Sequence, residues 1–116
     1  MVADLIRRAR GASSLEVFGT GSPLRQFCFA PDLAKLILWA LVQDGIPSCI
    51  ALVPEEEHSI AQLAKTIADI SGCKEVRFDP SKADGQYRKT MDNKLLRSYL
   101  SNFKFTSLEE GLRQSI

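Results

Sequence analysis

Apolar and polar positions recur along this chain at two spacings, and each change of spacing marks an element. Val2, Leu5 and Ile6 fall on one side of a helical wheel with arginines opposite, which predicts a helix over residues 2–10 that Gly11 ends. A short strand follows at 15–18, then the turn GTGSP, then a second candidate strand from Arg25 to Phe29. Pro31 suits the first position of a helix, where its missing N–H leaves no bond unmade. That helix, DLAKLILWALVQ, is apolar on most of its surface and is expected at the centre of the packing. Asp44-Gly45 and Pro47 break it, and CIALV (49–53) reads as a buried strand.

The second half is punctuated more clearly. Ser59 with Gln62 three residues on makes a capping box, and Ile60, Leu63, Ala64, Ile67 and Ile70 form one stripe behind it. Ser71-Gly72 closes that helix. EVRFD alternates as a strand, PSKADGQYRKT is a long polar stretch turning at Asp84-Gly85, and KLLRSYL is a short helix. Ser107 with Glu110 opens a last helix through a second capping box. The order describes a small mixed α/β unit with too few strands for a complete doubly wound nucleotide fold. The chain opens within one helix and closes within another (GLRQSI), the pattern expected of a piece of a larger protein.

Composition narrows this little. The chain has 116 residues, room for one domain, with 45% apolar and 25% charged residues and a net charge of +1. That balance speaks against a nucleic-acid partner held by bulk charge. Cys28, Cys49 and Cys73 match neither a disulfide framework nor a zinc site, and read as thiols of a reducing compartment, so a cytoplasmic location is expected. MVADLIRRAR lacks the apolar centre of a secretory signal, and the run Leu36 to Val42 is too short to span a bilayer, so no membrane association is expected.

Candidate chemistry sits in two places. GTGSPLR is neither a dinucleotide fingerprint nor a Walker A loop: the third glycine and the Lys-Ser/Thr pair are absent, and a strand follows instead of a helix. It is either a glycine-rich hairpin turn or a place where backbone approaches an anion while Arg25 supplies a guanidinium fork. Phe18 beside it is either strand core or a wall for a base or sugar. The polar loop 79–90 offers Asp84 as an acceptor and Arg88 and Lys89 as cations, or is a solvated loop. His58 is the only histidine, placed in an acidic stretch and read as a surface residue. No nucleophile, triad, paired carboxylates or metal-ligand set is assembled, so no catalytic or metal residue is assigned.

Three stretches resemble one family: VFGTGSPLRQF, DLAKLILWAL and RFDPSKADGQYRKTMDNKLLRSYL, with SLEEGL near the end. They look like the C-terminal part of GDP-L-fucose synthase, an extended short-chain dehydrogenase of the epimerase/dehydratase type. The resemblance implies an α/β fold that is a small mixed C-terminal substrate-binding domain over residues 1–116, with the Rossmann domain largely absent. It implies NADP(H) bound by a missing N-terminal domain, with no cofactor on this chain, a GDP-sugar substrate, and a homodimer for the complete protein. The complete reaction would be 3,5-epimerisation and NADPH-dependent 4-reduction of GDP-4-dehydro-6-deoxy-D-mannose, with this chain inactive alone. Phe18, Arg25 and Asp84 would contact the substrate. Phe18 stands where the family has tryptophan, and Pro54 where it usually has glycine, which alters the local backbone freedom. Another sugar-nucleotide epimerase or dehydratase, and a non-catalytic binding module, are the alternatives.

Overall fold

The computed structural model describes residues 1–116. Five helices and five strands follow one another: α1 (Val2–Ala9), β1 (Ser14–Phe18), β2 (Leu24–Arg25), α2 (Ala30–Val42), β3 (His58–Ser59), α3 (Ile60–Ser71), β4 (Glu75–Asp79), β5 (Arg88–Lys89), α4 (Lys94–Tyr99) and α5 (Leu108–Ser115).

Helix α3 organises the core. The Ser59 hydroxyl accepts from the Gln62 amide at 3.0 Å, and the Gln62 side chain accepts from the Ser59 amide at 2.8 Å, so the first turn loses little to fraying. Gly72 takes φ 73° at the other end, and the Cys73 amide returns to the Ala68 carbonyl at 2.8 Å. Between these caps Ile60, Leu63, Ala64, Ile67 and Ala68 are buried against Leu5, Ile6 and Ala9 of α1, Leu15 and Val17 of β1, and Leu112 of α5. Fully burying one such leucine or isoleucine is worth about 1.5–3 kcal/mol.

Two small sheets flank this helix. β1 pairs with β4 in parallel, in register from Ser14 opposite Glu75 to Phe18 opposite Asp79. β2 is the middle strand of the other sheet, antiparallel to β3 and parallel to β5.

Several expectations change. The fold class expected a domain from which Rossmann structure is largely absent. Instead, β1 and β4 form a parallel pair whose connection runs through helices, with α3 packed on the pair. That is a Rossmann-like β-α-β element, because parallel neighbours can only be joined by a crossover. Counting strands in the sequence hid the pairing. The strand expected from Arg25 to Phe29 contracts to Leu24–Arg25, and CIALV forms no strand. Side chains meet the backbone at its end instead: Asn93 Nδ2 donates to the Val53 carbonyl at 2.9 Å, and Gln26 Nε2 to that of the following Pro54 at 2.8 Å. Helix α2 was expected at the centre of the packing, yet only Asp32 and Leu36 of it are buried.

Candidate functional site

The glycine turn follows directly from β1. The Gly19 amide donates to the Asp79 carbonyl at 2.8 Å, carrying the parallel ladder one residue past Phe18. Gly19 and Gly21 then take φ of 88° and 77°, a region that costs other residues strain. Crowding adds to this: a Cβ on Gly19 would lie 2.2 Å from Asp84 Oδ1, and one on Gly21 would lie 2.5 Å from the Phe78 ring.

Asp84 closes the turn from the far loop. Its Oδ1 accepts from the Thr20 amide and its Oδ2 from the Thr20 hydroxyl, both at 2.6 Å. The Thr20 hydroxyl, followed by the Thr20 amide, holds the Asp84 carboxyl below the usual carboxylate range. Arg25 grips the same loop from β2. Its guanidinium donates to the carbonyls of Gln86 at 2.7 Å and Leu24 at 2.6 Å, while the Leu24 amide donates to the Tyr87 carbonyl at 2.8 Å. Next along, Gln26 exchanges bonds with Met91, accepting from its amide at 2.8 Å and donating to its carbonyl at 3.0 Å. Arg88 makes a two-bond fork to Glu57 at 2.8 and 2.6 Å, and Thr90 joins the pair. That guanidinium keeps the Glu57 carboxyl below its ordinary range.

The structure thus brings Arg25 and Asp84 to one loop, residues 79–90, held down on the glycine turn and on β2. Phe18 stands at the base of this arrangement, opposite Asp79 where the loop begins, and is 58% exposed. The Arg8 guanidinium lies over its ring, 5.6 Å from the centroid. Phe18 is therefore an exposed ring and not strand core. His58 pairs with Arg25 across β2 and β3, and its Nε2 is 3.4 Å from Glu56. No group of three or more His, Cys, Asp or Glu side chains is arranged to hold a metal ion.

Three residues escaped the sequence reading. Thr20 supplies both donors to Asp84, Gln26 stitches three segments together, and Arg8 covers the Phe18 ring. Thr20 had a signal, a hydroxyl between two glycines. Arg8 had only its place on a helix face. A separate groove of about 530 Å³ opens between α1, α5 and residues 27–30, involving Ile6, Phe27 and Leu112. Cys28 lines it, and burial pushes that thiol up.

Residues 1–50 match the model of the NAD dependent epimerase/dehydratase family. Within that class the chain is 39% identical over 104 residues to the GDP-L-fucose synthase of Dictyostelium discoideum, covering 87% of this chain and 32% of that protein. It is 38% identical over 105 residues to a probable GDP-L-fucose synthase of Drosophila melanogaster, covering 86% and 32%. The crystal structure of a GDP-L-fucose synthetase from Naegleria fowleri superposes with a TM-score of 0.91 and 34% identity, over 97% of this chain and 36% of that one. The chain therefore spans about a third of the length of these relatives. The likeness to these GDP-L-fucose synthases runs along most of this chain and through about a third of theirs.

The comparisons also correct two expectations. A C-terminal substrate-binding part without Rossmann structure does not accord with the family match over residues 1–50 or with the parallel β1–β4 pair. Nor does a chain wholly apart from the cofactor-binding element, since the synthetase solved bound to NADP superposes over 97% of it. The glycine turn is nonetheless a poor cradle for a pyrophosphate. Asp84 already fills it with a carboxylate, and β2 follows where a phosphate-binding helix would begin.

Proposed function

We propose that this chain carries the GDP-sugar-binding surface of an enzyme that converts GDP-4-dehydro-6-deoxy-D-mannose to GDP-L-fucose. The reaction is epimerisation at C3 and C5 followed by reduction at C4 with NADPH. The surface is the junction of the glycine turn, β2 and loop 79–90, with Phe18, Arg25 and Asp84 as its residues. One observation carries the reading: a turn and a loop that resemble the family's nucleotide-sugar segments are clasped together by Asp84 and Arg25. Phe18 offers a ring for stacking, and Arg25 a cation at the loop's edge. The chain contributes binding, and turnover belongs to the complete enzyme. The complete enzyme acts in the cytoplasm as a homodimer, with neither nucleic acid nor membrane as partner.

The test is an NMR titration of the chain with GDP-fucose, with UDP-glucose and NADPH in parallel. Shifts confined to residues 18–25 and 79–90, produced by GDP-fucose and not by UDP-glucose, are expected. Equal response to both sugars, or shifts elsewhere, would overturn the assignment. Shifts with NADPH outside the glycine turn would locate this chain's share of the cofactor contact. Arg25→Ala is expected to weaken GDP-fucose binding by roughly 1–3 kcal/mol, the range for a charged hydrogen-bond partner.

A further inference from the structure

The sheet that carries Arg25 is held by very little ladder. β2, β3 and β5 contribute two residues each, and each pairing covers two register positions. Strands that short are marginal by themselves. Register and the alternation of side chains give this small sheet two unlike faces. Arg25 stands opposite His58 on one side and Lys89 on the other, so these three fall on one face. Leu24, Ser59 and Arg88 fall on the other, and the same alternation carries Glu57 and Thr90 to that face as well.

On this second face the side chains close on themselves. Arg88 sets a two-bond fork on Glu57, with Nε at 2.8 Å and a terminal nitrogen at 2.6 Å. Its Nε also lies 3.0 Å from the Thr90 hydroxyl, which donates to Glu57 in turn. The Glu57 side chain is 17% exposed, tucked further in than that of Arg88. Glu57 leads into β3 and Arg88 begins β5, while β2 lies between those two strands. The fork therefore joins the two outer strands across the middle one, which no ladder bond does.

We infer that Glu57 is a positioning residue for the GDP-sugar surface: through Arg88 and Thr90 it locks β5 to the entry of β3, and so holds Lys89 in line with Arg25 on the opposite face. The role in ligand binding rests on the function proposed above; the lock itself does not. A two-residue strand tied down on one face can turn only as far as the tie allows. Whatever freedom Arg88 loses, its neighbour Lys89 loses too.

Four variants test this: Glu57→Ala, Glu57→Gln, which keeps the shape and removes the charge, Arg88→Ala, and the swap Glu57→Arg/Arg88→Glu. Without ligand, backbone ¹⁵N relaxation of residues 87–90 and the cross-strand NOEs between Leu24 and Arg88 report on β5. Expected are increased fast motion and weaker NOEs in the first three variants, with recovery in the swap. At a temperature where every variant is folded, GDP-fucose affinity should fall about fivefold in Glu57→Ala and in Arg88→Ala alike, and return in the swap. Should Glu57→Ala fail to fold, Glu57→Gln carries both readings. A β5 as ordered in the Glu57 variants as in wild type overturns the lock. Affinity lost in Arg88→Ala but kept in the Glu57 variants overturns the positioning role and makes Arg88 a direct contact. A swap that restores neither order nor affinity overturns the ion pair as the cause. Wild type unresponsive to GDP-fucose overturns the GDP-sugar assignment, while the relaxation data still decide the lock.

Discussion

Helices α3 and α2 are nearly equal in length, 12 and 13 residues, and both are rich in apolar side chains. Their environments differ sharply. α3 is capped by side chain at its start and by Gly72 at its end, and five of its residues are buried. α2 has no side-chain cap bond at Phe29 and turns Leu38, Leu41 and Val42 outward, 65%, 75% and 77% exposed. What fixes it is polar and sparse: Asp32 accepts from the Thr106 amide at 2.6 Å, Leu36 is buried, and Trp39 meets Tyr99 at 5.8 Å. Apolar content gives a helix the capacity to be core. Only a neighbour makes it core, and the neighbours in this chain all lie around α3.

This contrast should show first in core truncations. Leu63→Ala is expected to cost about 2–5 kcal/mol in urea unfolding, since it empties a fully buried site on α3. Leu41→Ala on α2 should stay within about 0.5 kcal/mol. A comparable loss at Leu41 would mean that α2 is covered in solution. Next comes the cap. Ser59→Ala should cost about 0.5–2 kcal/mol by thermal unfolding. Ser107→Ala should cost less, because its bond to the Glu110 amide is long at 3.3 Å and the Glu110 side chain turns to Gln114 instead of closing the box. Equal losses would remove the distinction between a full and a half capping box.

The smallest effect is a pH dependence near the C-terminal stretch. The Arg97 guanidinium, with help from Asn93, lowers the Glu55 carboxyl from its ordinary 4.5 to about 2. A carboxylate depressed in the folded state contributes stability above its unfolded pKa and loses it as pH falls through the folded value. Unfolding midpoints of wild type and Glu55→Gln should therefore differ by a constant amount above pH 4.5 and converge towards pH 2. Glu55 is half exposed, so solvent screens the pair and the gap should be small. A gap unchanged at low pH would show that Arg97 is held by the Phe103 carbonyl and the Phe105 ring without Glu55.

Local signals carried much of this fold into the sequence. The caps at Ser59, Gly72 and Ser107, the stripe on α3 and the strands at 14–18 and 75–79 all depend on near neighbours, and all were readable. So was the polar loop with its turn at Asp84-Gly85. What stayed hidden is set by distant residues. β2, β3 and β5 are two-residue strands with no period to detect, and the run 49–53 lacks the ladder partner that would have made it a strand. The candidate residues divide the same way. Arg25 and Asp84 stood out by type and context, but Asp84 meets a threonine 64 positions away and Arg25 meets main-chain carbonyls, which no residue pattern announces.

The parallel register that joins Ser14 to Glu75 has a consequence for how the chain comes together in time. Both halves of the central pair are made early and late in the sequence, with roughly sixty residues to be brought round before the first ladder bond can form. α3 can nucleate within its own caps beforehand and offer its stripe as the template on which β1 and β4 meet. Cutting the backbone between α2 and β3 would then yield two pieces that each lack half of the sheet, so neither should hold its structure alone. Mixed together, they should regain it at a rate that depends on their concentration.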